Sequence, residues 1–186
     1  MNRLDAIKKQ CEDEKGNPRY VGLFPEDVKD DLIESLRGCE IAEHSSNEEE
    51  WQDVGDNGFG IEIKNPHPGG EAILLDIGGE FSIFFGEWHA HGASCLDDYE
   101  EWFKPTIKKL LENKECALCL VDGNGRWLLS TLSDEPLSRD CAPEKIMSIL
   151  DLSENFRQDV ERLGGTVTVQ YFDPRLSFEI RIPPAS

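Results

Sequence analysis

Glu80-Phe-Ser-Ile-Phe-Phe-Gly-Glu-Trp-His-Ala-His91 decides the fold of this chain. Phe81, Ile83 and Phe85 alternate with Ser82, Phe84 and Gly86, so both faces of the run are largely apolar. Such a strand belongs in the interior of a sheet rather than at its edge. Read as one strand to His91, the two-residue period carries Glu87, His89 and His91 onto the Phe81/Ile83/Phe85 face, with Trp88 and Ala90 on the other. The most apolar strand thus runs into the densest polar cluster, where the chain turns into a helix.

Working outward, Phe59–Lys64 alternates, Asn65-Pro-His-Pro-Gly-Gly70 is a turn, and Glu71–Ile77 is a second strand joined to the first stretch through Gly78-Gly79. Downstream, Ser94 with Asp97 marks a helix start. Leu96, Tyr99, Phe103, Ile107, Leu110 and Leu111 then form an apolar stripe at helical spacing. Pro105 lies within the stripe and is expected to kink or split it near Phe103–Lys104. Glu115–Asp122 and Arg126–Leu132 read as a hairpin around Asp122-Gly-Asn-Gly125, a turn rather than a calcium loop because no further oxygen ligands follow. One helix is expected from Pro143 to Leu163, closed by Gly164-Gly165, then a last hairpin of Thr166–Phe172 and Leu176–Ile182.

Two helices open the chain, Arg3–Glu14, stopped by Gly16-Asn-Pro18, and Pro25–Arg37, stopped by Gly38. Glu40–Asp56, with seven acids, no Lys or Arg and Trp51 at its middle, reads as a solvated acidic linker. The expectation is one α+β domain over residues 1–186: a helical part at 1–38, a linker at 40–56 and a sheet core at 59–182. The sheet is expected to be single, largely antiparallel and of about seven strands, with helices mainly on one side.

Composition narrows the function classes. Nineteen Lys and Arg against 38 Asp and Glu give a net charge of −19. That argues against binding nucleic acid through its phosphates, which takes a basic patch, and against anionic lipid. It leaves a solubilising surface or a basic protein partner steered by the field. No apolar run reaches the 18 or so residues of a membrane span, and the first residues lack a signal-peptide core, so a cytoplasmic protein, monomer or homodimer, is expected. Six cysteines in that compartment read as reduced. Cys116-Ala-Leu-Cys119 lies in an apolar strand with its thiols on opposite faces, and no second pair completes a zinc site.

The polar cluster has three readings. His89 and His91, at i and i+2, can share a face and ligate one metal ion, with Glu87 or Cys95 as a further ligand. Glu87 to His91 spans about 13 Å along a strand, too far for all three of that face to share one ion. The second reading has both histidines hydrogen-bonded at a strand end. The third is a partner-binding surface of Glu87, Trp88, His89, His91, Asp97, Asp98, Glu101 and Trp102, aromatics set among carboxylates. The chain is read as having no bound metal or cofactor and as a binding protein rather than an enzyme. No phosphate loop, dinucleotide fingerprint or nucleophile elbow is present.

Two resemblances follow from these residues. His89-Ala-His91 followed by Ser94-Cys-Leu-Asp97 resembles the H-x-H-P and S-x-x-D elements of the JAMM metalloproteases. It implies His89, His91 and Asp97 as zinc ligands of a hydrolase, with Ser94 supporting the tetrahedral intermediate. Gly92 stands where that family has proline, and two residues rather than a long loop separate His91 from Ser94. Over a longer stretch, Gly86-Glu-Trp-His-Ala-His91 with Leu118-Cys-Leu-Val-Asp-Gly123 is similar to acidic bacterial domains of the polymorphic-toxin immunity kind. That resemblance implies a protein that blocks a basic toxin, its carboxylates standing in for phosphates.

Overall fold

The computed structural model describes residues 3–13, 21–45, 48, 57–93 and 95–185. The expected helix stop at Gly16-Asn-Pro18, the N-cap Ser94, Trp51 and most of the acidic stretch after Ser45 lie outside them. The chain is an α+β protein that divides into two compact units. One comprises Met1–Pro66, Ala72–Phe84 and Ala90–Lys108; the other comprises His67–Glu71, Phe85–His89 and Lys109–Ser186.

Five strands form the first antiparallel sheet, in the order of the chain: β1 (Ile41–Ser45), β2 (Phe59–Ile63), β3 (Ile73–Ile77), β4 (Phe81–Phe85) and β5 (Trp88–Ala93). β4 lies between β3 and β5, and Phe81, Ser82, Ile83 and Phe85 are all buried, as an interior strand requires. Two expectations fail here. The Glu80–His91 run is not one strand: it folds back at Gly86-Glu87, where Gly86 takes φ +58° at the first position of a two-residue loop. The alternation does not carry through this turn, so His91 lies beside Ser82 and Phe84 and not on the Phe81 face. In addition, Ile41–Ser45, expected as linker, pairs antiparallel with β2 from Ile41↔Ile63 to Ser45↔Phe59.

α1 (Arg3–Asp13) and α2 (Pro25–Ser35) belong to the same unit. Pro25 opens α2, and the Asp27 carboxylate, buried, accepts from the Phe24 amide at 2.8 Å, satisfying a donor the helix start would otherwise leave open. Leu4, Val28, Leu32 and Leu36 are fully or nearly fully buried. The helix after β5 runs without a break through α3 (Leu96–Asp98), a π-helical turn (Tyr99–Phe103) and α4 (Lys104–Leu111). Pro105 explains the π turn. Instead of kinking the helix apart, the chain adds a residue to the turn before the proline, and the Lys104 amide donates to the Tyr99 carbonyl, five residues back. The widened turn keeps Tyr99 and Phe103 on the core side, packed edge-on against Phe81 at ring separations of 6.1 and 5.8 Å.

The second unit holds a four-stranded antiparallel sheet ordered β7-β6-β8-β9, from β6 (Cys116–Asp122), β7 (Trp127–Ser133), β8 (Gly165–Gln170) and β9 (Phe178–Ile182). Both expected hairpins are present. The expected single sheet of about seven strands is therefore two sheets, of five and four strands among the described residues. Both added strands, β1 and β5, join the first sheet. The helical pattern from Pro143 also divides, into α5 (Pro143–Leu150) and α6 (Glu154–Leu163), because Asp151 adopts a left-handed conformation at φ +43°. Ile146, Leu150 and Val160 from these helices bury against Leu118, Leu120, Val167 and Val169 of the sheet. Cys116 joins that core while Cys119 points away from it, as the strand parity requires.

Candidate functional site

The residues singled out in the polar cluster do not form one constellation. Glu87, Trp88 and His89 belong to the second unit; His91, Asp97, Asp98, Glu101 and Trp102 belong to the first. Trp88 is buried at 6% exposure, so its ring is core and not an exposed anchor. His89 and His91 are exposed on β5, the edge strand of the first sheet. His91 makes a 2.6 Å hydrogen bond between Nδ1 and the Ser82 hydroxyl and lies edge-on to Phe84 at 5.8 Å. Among the described residues no three His, Cys, Asp or Glu side chains are arranged to hold a metal ion, so His89, His91 and Asp97 are not such a group.

At the start of the helix after β5, Asp97 and Asp98 fall where the helix dipole favours negative charge. The Cys95 thiol donates to the Asp98 carboxylate at 3.1 Å. Burial, and then the Asp98 charge, push the Cys95 thiol above its ordinary pKa, so it stays protonated and is a poor nucleophile. Glu100 is taken up internally, 2.8 Å from Lys8. Beside it, Asp31 accepts from the Tyr99 hydroxyl at 2.9 Å and from Lys104 at 2.7 Å. Burial, reinforced by the Asp31 carboxylate, holds the Tyr99 phenol far above its usual pKa, so it stays protonated and donates to Asp31. This cluster fixes the helix to α2 and does not present a reactive group.

Glu101 is exposed and Trp102 half-exposed on the outer side of the π turn. Most of the described cations of the first unit are engaged in ion pairs, Lys9 and Lys108 excepted among the described residues. Arg3 pairs with Asp27, Lys29 with Glu43, Arg37 with Glu34, Lys64 with Glu40 and Lys104 with Asp31. Asp30, Glu80 and Glu101 face solvent with no cation within 4 Å among the described residues. The surface of this unit therefore presents carboxylates in excess.

In the second unit, three clefts bear on binding. One of about 560 Å3 is lined by Gly123, Gly125, Gly164 and Gly165. It is no phosphate cradle, because the amides of Gly123, Gly125 and Gly164 already donate to the carbonyls of Gly164, Asp122 and Val160. A smaller cleft, about 340 Å3, holds Arg139 and Arg175 beside Leu176 and Phe178. Arg175 is clasped by Asp173, and the Arg139 guanidinium lies 5.9 Å from the Phe178 ring centre while donating to the Ser177 carbonyl. The largest, about 620 Å3, opens between α5 and α6 and is closed by the end of β9. The sequence reading missed it, since it assumed one continuous helix. Asp151-Leu-Ser153, an αL-tolerant residue followed two positions later by a capping type, was the available signal.

No helix among the described residues is long and apolar enough to cross a membrane. Comparison with known proteins gives no match: no family model, no curated protein and no solved structure matches this chain.

Proposed function

We propose that this chain is an acidic binding protein whose partner is a basic protein, and that its concrete form is an immunity protein neutralising a basic toxin. The observation that carries the reading is the engagement of most of the first unit's described cations by internal ion pairs while Asp30, Glu80 and Glu101 face solvent without one. A net charge of −19 distributed in that way gives a negative field at the surface, which speeds encounter with a cationic partner and repels nucleic acid and anionic lipid. The Cys95 thiol and the Tyr99 phenol at the helix after β5 are held protonated, which favours binding over nucleophilic catalysis.

The test is capture of the neighbouring gene's product by the full chain, at low and at high salt. A basic protein retained at low salt and released at high salt supports the reading, because rim charges act over about 10 Å at 0.1 M salt and are screened above it. If the captured protein is acidic or neutral, or if its retention is indifferent to salt, the reading is wrong.

A further inference from the structure

The cleft between α5 and α6 has the make-up of a receptor for one long cationic side chain. Its more buried lining is apolar, from Met147 and Val160 on the two helices and Ile182 at the end of β9. Its mouth carries Glu144, Asp151 and Glu161, all exposed, with Arg157 as the single opposing charge. None of these four charged side chains has an ion-pair partner within 4 Å among the described residues, whereas Lys145 and Arg162 on the same helices pair with Glu135 and Asp159. At about 620 Å3 the space is within the range of sites that enclose a ligand. The walls are fixed. α5 and α6 are pinned to the sheet by Ile146, Leu150 and Val160, and the Ala185 amide donates to the Glu161 carbonyl at 2.6 Å.

An apolar lining under a mouth of three carboxylates and one guanidinium selects against a neutral or anionic occupant. A lysine or arginine satisfies both parts at once, its methylenes on the lining and its cation at the rim. We propose that this cleft takes a lysine or arginine side chain from an exposed basic segment of the partner, anchoring it while the wider negative surface steers it in. The inference rests on the basic-partner reading above and assigns that partner its anchoring point.

The probe is a fluorescent oligolysine peptide titrated at low salt into the full chain and into two triple variants. One neutralises the cleft, Glu144→Gln/Asp151→Asn/Glu161→Gln. The other, Asp134→Asn/Asp140→Asn/Glu179→Gln, removes the same number of charges from the second unit away from the cleft. All six changes are on exposed side chains, and Asn suits the left-handed conformation at position 151. The cleft variant should bind about tenfold more weakly, as expected for the loss of three exposed charge contacts, and the control by less than about twofold. Backbone amide resonances of α5 and α6 should move on titration in the unaltered chain. Equal losses in the two variants, or shifts confined to other elements, would overturn the cleft and leave the basic-partner reading standing. If oligolysine does not bind the unaltered chain at all, both fall together.

Discussion

Phe85 and Gly86, adjacent in sequence, show how much a single position decides. Phe85 is 1% exposed and packs its ring 6.4 Å from that of Phe172. Phe85→Ala should cost about 3–5 kcal/mol in equilibrium denaturation, since a buried aromatic leaves a cavity that its neighbours fill only in part. Gly86 turns the chain at φ +58°, and a Cβ there would run into the Gln170 carboxamide. Gln170 is flexible and can retreat; the backbone strain stays, so Gly86→Ala should lower stability by about 1–2 kcal/mol, read in the same assay. Asp173 sets a pH dependence. The Arg175 guanidinium hydrogen-bonded to it pulls its carboxyl down to about 2, against an ordinary value near 3.8. A depressed folded pKa stabilises above the unfolded value and loses that effect as pH falls through the folded one. Asp173→Asn should therefore melt below the unaltered chain near neutral pH, and the gap should close between about pH 4 and pH 2.

At the scale of elements, what the sequence made legible was local. The alternation of β2, the glycine pair before β4 and the Asp122–Gly125 turn are each written within a few residues, and each element stands where it was expected. What stayed hidden depended on single conformations inside longer patterns. Gly86-Glu87 sits in an unbroken apolar-aromatic run, and nothing in the alternation distinguishes a turn glycine from a strand glycine. Ile41–Ser45 owes its strand character to its partner β2, and Glu43 and His44 mask that. Asp151 interrupts a helical stripe that remains in phase on both sides. It also offers a test: Asp151→Gly should raise the melting temperature by up to about 3 °C, because glycine takes φ +43° without strain. A drop would mean that the carboxylate makes the turn more stable than its conformation makes it strained. The candidate site was less legible than the fold. Trp88 groups with His89 and His91 as a neighbour in sequence although strand parity sets it on the opposite face; in the structure Trp88 goes into the core and the histidines are exposed on an edge strand.

For the molecule as a whole, excess charge acts on stability as well as on encounter. With 38 acids against 19 Lys and Arg, the compact state carries self-repulsion that salt screens. The melting temperature should thus rise between about 0.02 and 0.2 M sodium chloride, and a fall would mean that the internal ion pairs outweigh the repulsion. The chain also passes from one compact unit to the other five times, at residues 66/67, 71/72, 84/85, 89/90 and 108/109. No single cut of the gene separates them. A truncation after Lys108 keeps His67–Glu71 and Phe85–His89 but deprives them of every other residue of their unit. Splicing could not lend either half to another protein as a cassette, so this architecture is inherited whole or not at all.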